Sequence, residues 1–282
     1  MKNYLHAMQG TRRRKCAIIK ITLYIGRRGS MSRLFARFVS VVLLFGILGG
    51  AAVQALANEV QPVRREFTTS EEVTAVQIQE DGSSVTIRSG EGDQIEVRYA
   101  DSTAEKLYEM EVKDGILFIR KLKAPPPKVV KTALGRTVTI AGDDSSGDYA
   151  MEILLPQRQY DAIHVENPTA GSVKLNSIKV EKISTQVENG AIVLSKTHSD
   201  EIKAELGNGS IQFEHPAASR YDCTVENGEI KGDVVGRYED YTVKAGVKNG
   251  SCMLRPRLDA SSLYAVELYV ENGRVDVHFD NK

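Results

Sequence analysis

Between Ile183 and Phe279 one short pattern recurs five times: an apolar residue, a spacer, Asn-Gly, a spacer, then apolar residues at alternate positions. The steps are Asn189-Gly190, Asn208-Gly209, Asn227-Gly228, Asn249-Gly250 and Asn272-Gly273, with asparagines 19, 19, 22 and 23 residues apart. A period of this length marks a chain built from stacked units. Asn and Gly both tolerate positive φ, so the pair turns the backbone at low steric cost. The flanking alternation is that of a strand with one buried face. Two places before each Asn stand Val187, Leu206, Val225, Val247 and Val270; three places after stand Ile192, Ile211, Ile230, Cys252 and Val275. Four places before stand Thr185, Ala204, Cys223, Ala245 and Leu268. Like residues recur in like columns.

Two all-β architectures fit. In a parallel β-solenoid with coils of about 19–23 residues, Asn-Gly is a corner and each strand pairs with its copy one coil away. In an antiparallel β-meander or sandwich, Asn-Gly is a type I′ hairpin and its flanking strands pair with each other. The hairpin is the stronger local signal. The likeness between columns favours the solenoid, because a meander does not require it.

The zero net charge of the whole chain hides an asymmetry. Ten of the 37 Lys and Arg, and none of the 37 Asp and Glu, lie in residues 1–57, so the remainder carries a net charge of −10. An acidic body argues against nucleic acid as a partner and against direct docking on anionic lipid. Arg33 and Arg37 precede an uncharged apolar run, Phe38 to Val53, and then Ala55-Leu56-Ala57. That order reads as a secretory signal peptide over 31–57, cleaved after Ala57; left uncleaved, Phe38–Ala57 just spans a bilayer. Residues 1–30 fit neither reading, and Met31 is the expected start. The protein is therefore expected outside the cytoplasm, secreted or associated with the cell envelope.

Residues 58–122 read as short strands, with Val76, Ile78, Val85, Ile87, Ile95 and Val97 alternating between turn signals. Around Asp114-Gly115 the later spacing returns, with Asp in place of Asn. Residues 123–148 interrupt it: Pro125-Pro126-Pro127 cannot join a ladder, Lys123, Lys128, Lys131 and Arg136 make the stretch basic, and an acidic turn-rich loop follows. This insertion is the least template-bound stretch and a natural place for binding specificity. The repeat resumes over 149–282, with Gly171 placed 19 residues before Gly190.

Candidate chemistry is sparse. Asp143, Asp144 and Asp148 offer oxygen ligands for Ca²⁺ without EF-hand spacing, so a solvated turn is the expected reading. Cys223 and Cys252 fall on inward columns of neighbouring repeats; a disulfide between them is one reading, two small buried apolar side chains the other. Cys16 lies in the leader. His164, His198, His215 and His278 show no zinc spacing, and His198 and His215 fall between repeats. The chain has no G-x-S-x-G, P-loop or H-E-x-x-H, so no catalytic, metal or cofactor residue is assigned. The Glu before Asn-Gly recurs as Glu188, Glu226 and Glu271 and predicts an outward acidic stripe, read as a solvated face or as a cation-bridged or sugar-binding ridge. The last strand, Arg274 to Phe279, predicts an open edge, met by end-to-end pairing or by cover from an earlier segment.

Phe67–Ile78, Gly-Glu-Gly-Asp-Gln-Ile-Glu-Val at 90–97, Met110–Ile119 and the Asn-Gly repeats together resemble a bacterial adhesin-like family of β-strand-repeat domains of unknown function, found in exported and envelope-anchored proteins. The resemblance spans about Phe67 to Phe279. It implies a right-handed β-solenoid and an envelope location, and it carries no catalytic residues. The function it points to is non-enzymatic: adhesion or scaffolding through a regular face, with a cell-wall or surface glycan or an envelope protein as partner. Two further readings stay open: a membrane-anchored accessory protein of an envelope-stress response, and a polysaccharide-acting β-helix enzyme with carboxylates clustered on one outer face.

Overall fold

The computed structural model describes residues 62–102, 106–123, 128–131, 137–140 and 150–280. The expected leader, the Pro-Pro-Pro run and the acidic loop with Asp143, Asp144 and Asp148 lie outside the described residues. The described residues within 58–130 and 138–282 form one compact unit. Among the described residues, the strands are β1 (Val63–Thr69), β2 (Ala75–Gln79), β3 (Val85–Ser89), β4 (Ile95–Asp101), β5 (Tyr108–Lys113), β6 (Ile116–Lys121), β7 (Lys128–Lys131), β8 (Thr137–Ile140), β9 (Met151–Leu155), β10 (Gln159–Asn167), β11 (Gly171–Asn176), β12 (Lys179–Ser195), β13 (His198–Glu214), β14 (Ala217–Val235), β15 (Tyr241–Cys252) and β16 (Tyr264–Asp280). Fourteen of them form one sheet, mostly parallel, while β7 and β8 pair with each other.

The solenoid is the observed architecture. In the parallel pair β12–β13, Asn189 lies opposite Asn208 and Gly190 opposite Gly209. In β13–β14, Asn208 lies opposite Asn227. Each Asn-Gly is a bend within one continuous strand, so its two flanks never pair. The hairpin reading fails for a backbone reason. A type I′ turn needs positive φ at both central residues; here only the glycines have it, from Gly209 at 136° to Gly228 at 148°. Asp114 (φ 52°) and Gly115 (φ 76°) both have it, and there β5 and β6 do form an antiparallel hairpin. The expectation that Asp114-Gly115 begins the repeat in degenerate form is thereby corrected. A second turn closes the regular coils, with Ser177, Lys196 and His215 in the left-handed region.

Strand order departs from chain order at both ends. On the arm before the corner, β10 sits beside β2, β2 beside β6, and β6 beside β5. On the arm after it, β11 sits beside β3, then β9, β4 and β1. So β6 and β9 flank the same inner coil, β2–β3, although residues 122–150 separate them in sequence. At the other end β16 lies between β14 and β15, pairing in parallel with both. Of the open edge expected at Arg274–Phe279, an earlier strand covers Arg274 and Val275, while Asp276–Phe279 pair with β14 alone; the outermost strand is β15.

The inward columns form the core. Val187, Leu206, Val225 and Val270 are buried, as are Ile192, Ile211, Ile230 and Val275. Cys252 belongs to the second of these columns but is exposed, because β15 has a neighbour on one side only. Close stacking explains why glycine holds each corner. A Cβ on Gly209 would lie 1.8 Å from the carbonyl oxygen of Gly190, and one on Gly228 1.8 Å from that of Gly209.

Candidate binding surface at the corner

The corners stack into a ladder of side-chain amides. Asn249 Nδ2 donates to Asn272 Oδ1 at 2.8 Å, and Asn272 to Asn227 at 2.8 Å. Asn227 donates to Asn208 at 3.0 Å, Asn208 to Asn189 at 3.0 Å, and Asn189 to the Thr169 carbonyl at 2.7 Å. All five asparagines are exposed, so the ladder is an outer ridge. Stacking at the strand spacing lets each amide satisfy the next, which is why Asn serves here and Asp, lacking a donor, would not.

A shallow groove runs along one flank of the ridge, lined by Glu166, Glu188, Glu205 and Glu226 with Gln186 and Thr224. Glu166 is within 2.9 Å of His164 Nε2, and Glu205 within 2.8 Å of Lys203 Nζ. Gly207 takes the place of Glu in its coil, where a Cβ would lie 2.6 Å from the Glu188 carbonyl oxygen. The predicted acidic stripe is therefore interrupted at Gly207. It also ends in a cation, because the strand order sets Glu271 between Glu226 and Lys248, and Lys248 Nζ contacts Glu271 at 2.8 Å. On the other flank Arg274 lies 2.8 Å from Glu229, which also pairs with Lys231. The bond from Lys231, with that from Arg274, holds the Glu229 carboxyl below the ordinary carboxylate range.

Sequence reasoning missed a buried polar column. The column occupied by Val187 continues through Asn167, Glu80 and Lys121. Lys121 Nζ sits 2.9 Å from Glu80 Oε1, with side chains 1% and 0% exposed. Tyr108 OH donates to Glu80 Oε2 at 3.0 Å, and Lys121 to Ser83 Oγ at 2.9 Å. Asn167 donates to the Ser83 carbonyl at 2.9 Å and accepts from the Gly82 amide at 3.1 Å. A signal for it exists in strand phase: Glu80 continues the inward phase of Val76 and Ile78, and Lys121 that of Leu117 and Ile119. Every polar atom put inside needs a partner, and this column supplies them mutually.

The remaining candidates stay apart. Cys223 and Cys252 are free thiols. The disulfide reading is corrected because β16 lies between their strands, so they are not in neighbouring coils. Burial pushes the Cys223 thiol far up, to the protonated form. His215 is exposed in the turn between β13 and β14, whereas His198, expected there too, is an exposed residue that opens β13 and pairs with Lys179 and Ala217. No group of three metal-ligating side chains occurs among the described residues. Among those residues no helix is long and apolar enough to cross a membrane.

A family model described as Toastrack DUF4097 matches residues 73–251. No curated protein matches the chain. Among solved structures, a "putative cell adhesion protein" from Clostridium sporogenes is 14% identical, with 78% of this chain and 100% of that one covered and a TM-score of 0.46. A "putative adhesin" from Bacteroides fragilis is 13% identical, covering 77% and 97%, TM-score 0.41. A "putative lipid binding protein" from Parabacteroides distasonis is 10% identical, covering 80% and 98%, TM-score 0.34.

Proposed function

The chain belongs to the Toastrack DUF4097 family, and on that premise we propose that it is a non-enzymatic cell-envelope protein that binds or scaffolds through its corner ridge. One observation carries this reading: an unbroken five-asparagine ladder flanked by a groove of solvated carboxylates. The asparagine amide is presented once per coil. A periodic partner such as a cell-wall or surface glycan can meet it with many weak contacts, whose sum gives avidity. Export by the Phe38–Ala57 segment is part of this proposal. A glycan and cell-wall binding screen on residues 58–282 tests it. Saturable binding to a polymeric glycan, weakened at least about fivefold by Glu188→Ala with Glu226→Ala, supports the ridge; binding indifferent to that pair removes it.

The carboxylate groove also favours a second reading, a polysaccharide-acting enzyme. Glycoside cleavage needs one carboxyl kept protonated by an apolar setting. Glu166 is instead partly solvated beside the His164 imidazole, and Glu205 partly solvated and paired with Lys203, which is why binding ranks first. Release of reducing ends from a glycan, abolished by a single Glu166, Glu188, Glu205 or Glu226 substitution, would reverse that order.

A further inference from the structure

The interleaved end of the solenoid leaves one strand half used. Among the described residues, β15 pairs only with β16 along its length. The Val243 amide and carbonyl point away from β16 and are taken by Arg257, at 2.7 and 2.9 Å. The Tyr241–Val243 stretch of the edge is thus closed by the chain's own return. Strand groups alternate in direction with period two, so the amides and carbonyls of Ala245 and Val247 also face outward. Beyond Val243 that edge is open.

The side chains beside it have a consistent chemistry. Lys244 and Lys248 stand on the outer face, 57% and 59% exposed, holding Glu267 at 3.2 Å and Glu271 at 2.8 Å on the neighbouring strand. An ammonium has three donors, so each lysine can also hold a carboxylate on its other side. Gly246 between them leaves a gap beside Tyr269, walled by Pro256 and Leu258. The return segment carries exposed apolar side chains among its polar ones: Met253 at 67%, Leu258 at 78%, Leu263 at 91%. An edge shaped only to repel strands carries charge without exposed apolar side chains; this one carries both. A second copy pairing symmetrically through this edge would set the lysines against their own counterparts, so like charges oppose such a dimer.

We propose that the outer edge of β15, Lys244–Lys248, is a docking site for an extended acidic segment of a partner protein, which joins the sheet as one further parallel strand. The neighbouring strand shows what fits. Glu267 and Glu271 meet the two lysines, while Leu268 and Val270 lie over Ala245 and Val247. The partner segment therefore carries acids four residues apart with apolar residues between them, and a side chain at the Gly246 level fills the gap beside Tyr269. This site is separate from the corner ridge and stands or falls independently of glycan binding.

The test uses the full chain and a fluorescent peptide with the sequence of Glu267–Asp276. Saturable anisotropy is expected, weakened about tenfold or more by Lys244→Glu with Lys248→Glu. A peptide with both glutamates changed to lysine should restore binding to that variant. Ala245→Pro removes an outward amide that no β16 bond uses, so the variant keeps its unfolding midpoint and loses the peptide. Peptide that binds Ala245→Pro as well as the parent has exchanged into the β16 slot, which overturns the proposal. So does no binding at all, or light scattering that shows a dimer of the parent chain dissociated by Ala245→Pro.

Discussion

At the residue scale, the same amino acid has different duties in different coils. Gly209 combines φ of 136° with a neighbouring carbonyl 1.8 Å from where a Cβ would be. Gly246 has an ordinary φ, and its nearest foreign atom is Tyr269 Cδ2 at 3.9 Å. Gly209→Ala is therefore expected to cost more than about 2 kcal/mol and Gly246→Ala less than about 0.5. Urea midpoints of the two variants check this; equal midpoints would contradict the close stacking of corners. The Glu80–Lys121 pair gives a second contrast. Glu80→Ala strands a buried ammonium and is expected to cost about 3–5 kcal/mol, whereas Glu80→Leu with Lys121→Met costs much less, because neither charge is left alone. A double-mutant cycle by chemical unfolding measures the difference. The pair is readable from strand phase alone, yet charged residues at the end of a strand read by default as turn or surface.

At the element scale, apolar columns and charges encode different things. The columns are legible in the sequence because one buried face imposes period two and stacking imposes period 19. They set the parallel register of β12, β13 and β14, including the Asn ladder. They cannot set the order of the last two coils, since β15 and β16 carry interchangeable apolar residues. Cross-strand charges distinguish the strands instead: Arg274 meets Glu229 on β14, while Glu267 and Glu271 meet Lys244 and Lys248 on β15. The Asp114-Gly115 hairpin escapes a reading by pattern for a related reason, because side-chain spacing does not report φ. Two carboxyls in these cross-strand contacts also predict pH dependence. The bond from Arg88 holds the Glu152 carboxyl below the ordinary range, as Lys231 and Arg274 do for Glu229. A carboxyl depressed in the folded state contributes stability above its unfolded pKa and loses it as pH falls through the folded value. The urea midpoint should therefore drop on acidification below the ordinary carboxylate range, and drop less in Glu152→Gln with Glu229→Gln. Both pairs are partly exposed, so the effect is modest.

At the scale of the whole molecule, the solenoid offers two distinct surfaces, a corner ridge along the coils and an open edge at one end. The ridge repeats one chemistry many times; the edge presents one strand once. Both depend on the corners lying in register with the C-terminal strand slotted inside. Neighbouring parallel strands lie about 4.8 Å apart, so register partners are within disulfide reach and residues two coils apart, about 9–10 Å, are not. The most direct test is oxidative crosslinking in a chain whose native cysteines are replaced. Asn227→Cys with Asn272→Cys is expected to close a disulfide despite 45 residues of separation, and Asn227→Cys with Asn249→Cys, only 22 residues apart, is expected to stay reduced. A bond in the second pair and none in the first would put the coils in chain order, and no bond in either would contradict the stacked corners themselves.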